Sequence, residues 1–228
     1  MTNSTQAYTD KYDKQGYGLS FPDGHIVRFY ERILKYKLNF KGKTMLDFGC
    51  GNGVHSKYFQ SKGYKPFGID IVPSLKQAYE SLTGGGGALK GECHIIEANV
   101  SFKHLFSEKM DLIVANQSLY YLPRENFSKT IAEFYELANE KAILFATMMS
   151  EKNYYFKHAL KEAQNGLREV KLEGRLNETS YIHFVKDTKE LCELFKPFKP
   201  LFLGEYDPIN FYDFEGSAHH FIFVGIKE

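Results

Sequence analysis

The stretch "MLDFGCGNG", residues 45–53, carries an apolar run through an aspartate into three glycines set one residue apart. Before the glycines, "KTMLDFG" reads as a strand; after them, "GVHSKYFQSKG" reads as a helix closed by Gly63. Strand, glycine turn and helix together bring a ligand close to backbone amides at a helix N-terminus. The dinucleotide version of the turn is G-x-G-x-x-G, with its third glycine needed for close helix–strand packing. Counted from Gly49, that place is held by Val54, so the match fails there. Asp47 adds a second oddity, an acidic residue at the mouth of a turn that usually meets phosphate.

Outward from this turn, strands alternate with helices. A helix is expected over 23–38, with Ile26, Phe29, Ile33 and Leu34 at helical spacing and Asp23 as its cap. "KPFGIDI" is a second strand, and "VPSLKQAYESL" a helix with Pro73 near its first turn. "CHIIEAN" and "KMDLIVANQS" are the third and fourth strands, "RENFSKTIAEFYELAN" an amphipathic helix, and "KAILFATMM" the fifth strand. "GGGG" at 84–87 reads as a flexible connector. Residues 151–190 read as a helical insertion, followed by the helix "DTKELCELFKPF". "KPLFLGEY" and "HHFIFVGIKE" read as two closing strands, joined too briefly for a helical crossover and so antiparallel. The expected fold is α/β: a Rossmann-like, doubly wound, mostly parallel seven-stranded sheet with an antiparallel last strand and helices on both faces. It is expected as one domain, with an N-terminal arm to residue 40, a core over 41–150, the insertion over 151–190 and a C-terminal hairpin unit over 191–228.

Composition narrows the function. The 228 residues carry 29 basic and 28 acidic side chains, a net charge of +1 that argues against a dedicated nucleic-acid binder. The three cysteines show no spacing suited to zinc or to a disulfide framework, so no metal and a reduced, cytoplasmic setting are expected. The polar N-terminus is no secretory signal, and "AILFATMM" is too short to span a bilayer, so no membrane is expected as partner.

With these elements in order, "LDFGCGNG" resembles the first motif of class I S-adenosylmethionine-dependent methyltransferases, and the resemblance runs from about Lys43 to the end of the chain. It implies that Gly49, Gly51 and Gly53 lie against the methionine part of the cofactor. That part carries an ammonium and a sulfonium, beside which the Asp47 carboxylate is attractive rather than repulsive. It implies further that Asp70, closing the second strand, accepts from both ribose hydroxyls, since a carboxylate offers two oxygens to a diol. Ile71 would pack on the adenine face, Asn99 would meet the adenine amino group, and Val100 would offer its backbone amide. Asn116 and Gln117 would pass beneath the sulfonium. Tyr17 and Arg28, with Tyr12, are arm residues expected to close over the cofactor, Arg28 toward its carboxylate.

Methyl transfer from a sulfonium is an in-line displacement that needs a held acceptor and, for a hydroxyl or ammonium, a base. Ligands sit at the carboxyl ends of parallel strands, which the insertion and the segment 206–220 are expected to overhang. His183 and His219 are therefore the expected bases, and Tyr120, Tyr121 and Tyr206 the expected acceptor wall. The expected acceptor is a small molecule, methylated on O or N, such as a sugar or nucleotide-linked intermediate. Two other readings stand beside this one: a non-catalytic domain that binds the cofactor or its demethylated product, and a nicotinamide oxidoreductase.

Overall fold

A computed structural model describes residues 18–97, 100–173, 178–207 and 217–228. It holds a seven-stranded sheet, with helices on both sides, whose strands lie in the order β3 (Glu92–Ile95), β2 (Lys65–Asp70), β1 (Thr44–Phe48), β4 (Met110–Ala115), β5 (Ala138–Met149), β9 (His220–Ile226), β8 (Lys199–Tyr206), and a separate two-stranded ribbon of β6 (Arg168–Leu172) and β7 (Glu178–Ile182). The chain divides into two compact units; the first comprises 1–114 and 137–142, the second 115–136 and 143–228.

In the first unit, β1 (Thr44–Phe48) pairs in parallel with β2 (Lys65–Asp70) and with β4 (Met110–Ala115), and β2 pairs in parallel with β3 (Glu92–Ile95). Met45 to Phe48 and Pro66 to Asp70 are buried without alternation, as expected of parallel strands covered on both faces. The expected N-terminal helix is present, though it is not one regular helix. A five-residue α-helix, α1 (Gly24–Arg28), widens into a π-helical run, Phe29–Lys37. There the Leu38 amide reaches back to the Ile33 carbonyl, and the wider turn puts Phe29 and Leu34, five apart, into the core while Ile33 is only half-buried. Asp23 holds the N-cap position without a side-chain cap bond; its carboxylate stands 3.3 Å from His55 instead.

Helix α2 (Val54–Gln60) leaves the glycine turn, and α3 (Leu75–Thr83) follows β2. The Gly84–Gly87 run, expected as a flexible connector, forms 3₁₀ turns within Gly84–Leu89 after α3, broken at Gly87, whose φ of 55° is not helical. Tyr79 of α3 is fully buried and packs with Cys50 and Cys93, whose sulfurs are 3.8 Å apart. Gly68 of β2 makes room for this group, because a Cβ there would stand 2.7 Å from the Tyr79 ring and 2.8 Å from the Cys50 sulfur.

In the second unit, the end of β5 (Ala138–Met149) pairs antiparallel with β9 (His220–Ile226), and β9 pairs antiparallel with β8 (Lys199–Tyr206). Strand β9 runs antiparallel to both of its neighbours, as the short connection from β8 requires. Helix α4 (Arg124–Leu137) precedes β5. The 151–190 insertion departs from expectation. Ahead of Thr188 its only described helix is the four-residue α5 (Tyr154–Lys157), and its body is the antiparallel ribbon of β6 (Arg168–Leu172) and β7 (Glu178–Ile182). Val170 and Leu172 are buried while Lys171 between them is exposed, the alternation of a one-sided strand. Helix α6 (Thr188–Leu194) follows, and near it Phe195 stacks on Phe223 of β9 at 4.5 Å.

Candidate cofactor and acceptor site

The first unit supplies the glycine turn. Gly49, Gly51 and Gly53 all take positive φ, at 76°, 54° and 86°. Gly53 is doubly constrained, since a Cβ there would also meet the Tyr79 ring at 2.7 Å. Four of the turn's amides are committed inside the protein. Those of Gly49 and Cys50 donate to the Ile69 carbonyl, that of Gly53 to the Cys50 carbonyl, and that of Gly51 to Asp70 Oδ2 at 2.9 Å. A phosphate cradle needs such donors open to the ligand. With these four engaged and two carboxylates set beside them, the turn suits positive charge and not phosphate.

Both carboxylates are buried. Asp47, 1% exposed, accepts from Ser56 Oγ at 2.7 Å, and Ser56 in turn accepts from the Tyr79 hydroxyl at 2.9 Å. Burial pushes the Asp47 carboxyl above its ordinary value, against the opposing field of His55. Asp47 therefore lies beneath the turn, tied to α2, and does not face outward as expected of a direct ligand. Asp70 closes β2 and holds three backbone amides: Gly51 on Oδ2, and Ile71 and Val72 on Oδ1 at 2.8 and 3.0 Å. Burial raises its carboxyl too, and these three bonds oppose the rise. Asp70 thus shapes the turn it was expected to serve.

The remaining cofactor positions are scattered in quality. Ile71 is half-buried beside Asp70. Val100 is 48% exposed and its amide faces the Glu97 carbonyl at 3.4 Å. Arg28 is exposed at the end of α1. Tyr12, Tyr17 and Asn99 lie outside the described residues. Sequence reasoning missed Ser56 and His55. A hydroxyl or imidazole in the first turn of the helix after such a glycine turn was the signal available.

The second unit carries the other expected residues. Asn116 and Gln117 follow β4 directly, and Gln117 takes a left-handed φ of 53°, a strained conformation for a residue with a side chain. Two bonds hold it: its amide N–H donates to Thr147 Oγ1 at 2.7 Å, and its Nε2 donates to the Tyr206 hydroxyl at 3.0 Å. Thr147, fully buried, also donates to Asn116 Oδ1 at 3.3 Å. Tyr121, Tyr120, His220 and Tyr206 form a row of rings, with successive centroids 4.5, 5.6 and 5.1 Å apart. The expected acceptor wall is thus brought together.

The expected bases are not. His219 has both ring nitrogens engaged, Nδ1 with Ser150 Oγ at 2.7 Å and Nε2 with Glu205 at 3.0 Å. It braces β8 against β5 and has no nitrogen left for an acceptor. His183 is 3% exposed against the Phe127 ring, and its Nδ1 meets no hydrogen-bond partner among the described residues. Burial holds its pKa below the ordinary value, so the ring stays neutral in the core. His220, which the sequence reading passed over, is the histidine in the ring row.

Among the described residues no group of three or more His, Cys, Asp or Glu is placed to hold a metal ion, and no helix is long and apolar enough to cross a membrane. Similarity to known proteins agrees with the geometry. A yeast (Saccharomyces cerevisiae) protein arginine N-methyltransferase is 25% identical over 134 residues, 58% of this chain but only 38% of the relative. A malonyl-[acyl-carrier protein] O-methyltransferase from Hamiltonella defensa is 22% identical over 162 residues, 71% of this chain and 55% of the relative. The chain thus spans about half or less of these curated relatives. Among solved structures, a SAM-dependent methyltransferase from Methanosarcina mazei shares the fold at a TM-score of 0.65 and 22% identity, covering 84% of this chain and 97% of that one. A family model described as a methyltransferase domain matches residues 20–196, more than half of the chain, and the protein belongs to that family.

Proposed function

We propose that the protein transfers a methyl group from S-adenosylmethionine to an oxygen or nitrogen of a small molecule, in the cytoplasm, with no nucleic-acid or membrane partner. The observation that carries this reading is the glycine turn, with four of its amides committed internally and two buried carboxylates, Asp47 and Asp70, at its base and side. A sulfonium and an ammonium are favoured by that field, while a pyrophosphate is not. Gly49, Gly51 and Gly53 would border the methionine part. Asp70 would turn toward the ribose diol and Ile71 toward the adenine, while Asp47 acts through its field and through Ser56.

When bound, the donor supplies an electrophilic methyl carbon on sulfur. The chain's own task is to align the acceptor with the breaking carbon–sulfur bond and to keep water out. Tyr120, Tyr121 and Tyr206 are the acceptor wall in this reading, and Asn116 and Gln117 border the methyl side. The near-neutral net charge supports a small acceptor over a nucleic acid. The free cysteines, Cys50, Cys93 and Cys192, support a reducing compartment.

Calorimetric titration with S-adenosylhomocysteine, and separately with NADH, tests the cofactor. Heat of binding with the first and none with the second is expected; the reverse would refute the reading. Labelled donor incubated with fractionated small metabolites then tests the acceptor class. One observation favours a second reading, a binding domain without chemistry: neither His219, with both nitrogens bonded, nor His183, buried in the core, is available as a base.

A further inference from the structure

We propose that Cys50 and Cys93 are a redox-active dithiol, whose oxidation to a disulfide by a small peroxide loosens the glycine turn. The disulfide stands on the geometry of the first unit alone; its effect on the cofactor rests on the proposed methyltransferase function.

The two sulfurs meet through a gap in the strand between them. Cys93 of β3 is in register with Gly68 of β2, and Cys50 follows β1, on the other side of β2. A side chain at position 68 would stand in the way, since its Cβ would lie 2.8 Å from the Cys50 sulfur. With glycine there, the Cys50 sulfur comes within 3.8 Å of the Cys93 sulfur and of the Gly51 carbonyl. A disulfide bond is about 2.05 Å long, so the sulfurs must approach by roughly 1.7 Å.

The two ends do not yield equally. Cys93 is held in the β2–β3 ladder, and its carbonyl accepts from Lys76 Nζ of α3. Cys50 lies in no strand or helix. Its amide donates to the Ile69 carbonyl and its carbonyl accepts from the Gly53 amide, both at 3.0 Å. The approach therefore falls on Cys50, and the bonds it stretches are those that shape the turn. Gly53, at a left-handed φ and close against the Tyr79 ring, has little room to follow.

The same turn gates the reaction. Cys50 is 4% and Cys93 1% exposed. Burial keeps the proton on the Cys50 thiol, and Cys93, Asp70 and Asp47 beside it act the same way. The reactive thiolate thus forms when the turn opens to water. Cys50 Sγ attacks one oxygen of the peroxide, whose O–O bond breaks. The departing hydroxide takes up the thiol's proton as water, and Cys50 is left as a sulfenic acid. Cys93 Sγ then attacks that sulfur, forming the S–S bond, and the hydroxyl leaves with the second thiol proton as another water. The two thiols together lose two electrons and the peroxide gains them. Reversible redox sensing of this kind is a use to which cytosolic disulfides are put. A ligand that favours the reduced turn binds the disulfide form more weakly by the same factor.

Three measurements on the intact chain decide the matter. After hydrogen peroxide treatment, denaturation, alkylation and digestion, mass spectrometry should find a peptide pair joined through Cys50 and Cys93, with Cys192 alkylated. Alkylation of Cys50 and Cys93 throughout, or a bridge from either to Cys192, would overturn the site. Amide hydrogen exchange over residues 49–54 reads the turn without any ligand. It should run about tenfold faster in the oxidised chain and ignore peroxide in the Cys93→Ser variant; equal exchange in both redox forms would refute the coupling. Calorimetric titration with S-adenosylhomocysteine should show affinity falling about tenfold on oxidation and recovering with dithiothreitol. That factor equals a midpoint potential raised by about 30 mV when the ligand is saturating. Affinity unchanged within twofold would refute the link to the cofactor. Should S-adenosylhomocysteine bind neither form, the methyltransferase reading falls by itself, and the peptide map and exchange still judge the dithiol.

Discussion

Asp70 holds the glycine turn together and is also the residue proposed to meet the ribose. Its carboxylate satisfies the amides of Gly51, Ile71 and Val72, so Asp70→Ala should do more than weaken cofactor binding. Leaving three donors without their acceptor should lower the unfolding free energy by about 3 kcal/mol, read by urea denaturation. Loss of S-adenosylhomocysteine binding with stability intact would show that the carboxylate does not hold the turn. Asp47 makes a pH prediction. Its folded pKa lies above the ordinary 3.8, so the stability it contributes is present below that value and is lost as pH rises through the folded pKa. Asp47→Asn keeps an acceptor for Ser56 and removes the buried charge. Relative to wild type, the variant should gain stability as pH is raised from about 4 to 7, measured as urea midpoints. What the sequence could not tell about these residues is orientation. Asp47 was legible as the acidic member of the motif, but that its carboxylate turns under the loop depends on Ser56 and Tyr79, which only the packed α2 and α3 bring to it.

Elements were legible where their patterns are local. The strand before the glycine turn and the helix after it follow from an apolar run, positive-φ glycines and a closing Gly63, all within twenty residues of chain. Gly53→Ala tests that junction. A left-handed φ and a ring 2.7 Å from the new Cβ should together cost about 2–4 kcal/mol, seen as a lowered urea midpoint. Helix α6 shows a second local signal: Asp187 accepts from the Glu190 amide at 2.9 Å while Glu190 accepts from the Lys186 amide at 2.8 Å. Asp187→Ala should therefore cost about 1 kcal/mol in the same assay. The insertion was misread because β6 and β7 are only five residues each, too short for a two-residue period to outweigh the helix-forming residues around them. That both ring nitrogens of His219 are engaged was illegible for a related reason. Which of two neighbours faces the tyrosines depends on how β9 pairs with β5 and β8, and strand register is invisible in a single segment.

For the whole molecule, ligand linkage gives the broadest check. S-adenosylhomocysteine at a hundredfold over its dissociation constant stabilises by ~2.7 kcal/mol, which for a chain of this length should raise Tm by roughly 5–10 °C. No shift would count against the cofactor assignment. The mostly parallel sheet and its antiparallel last strand follow from the alternation of strands and helices and from one connection too short for a helix. Those are properties of the chain as a whole, and they survived the misread insertion.

The closed accounts of the glycine turn's amides bear on competition inside a cell. ATP and the sulfonium donor share an adenosine, so the ribose contact proposed for Asp70 could not alone tell them apart. Discrimination then falls to the turn, which offers a triphosphate no hydrogen bonds from Gly49, Cys50, Gly51 or Gly53 and confronts it with buried anions. Rejection of the commoner nucleotide would thus be built into the backbone, without any side chain placed to block it.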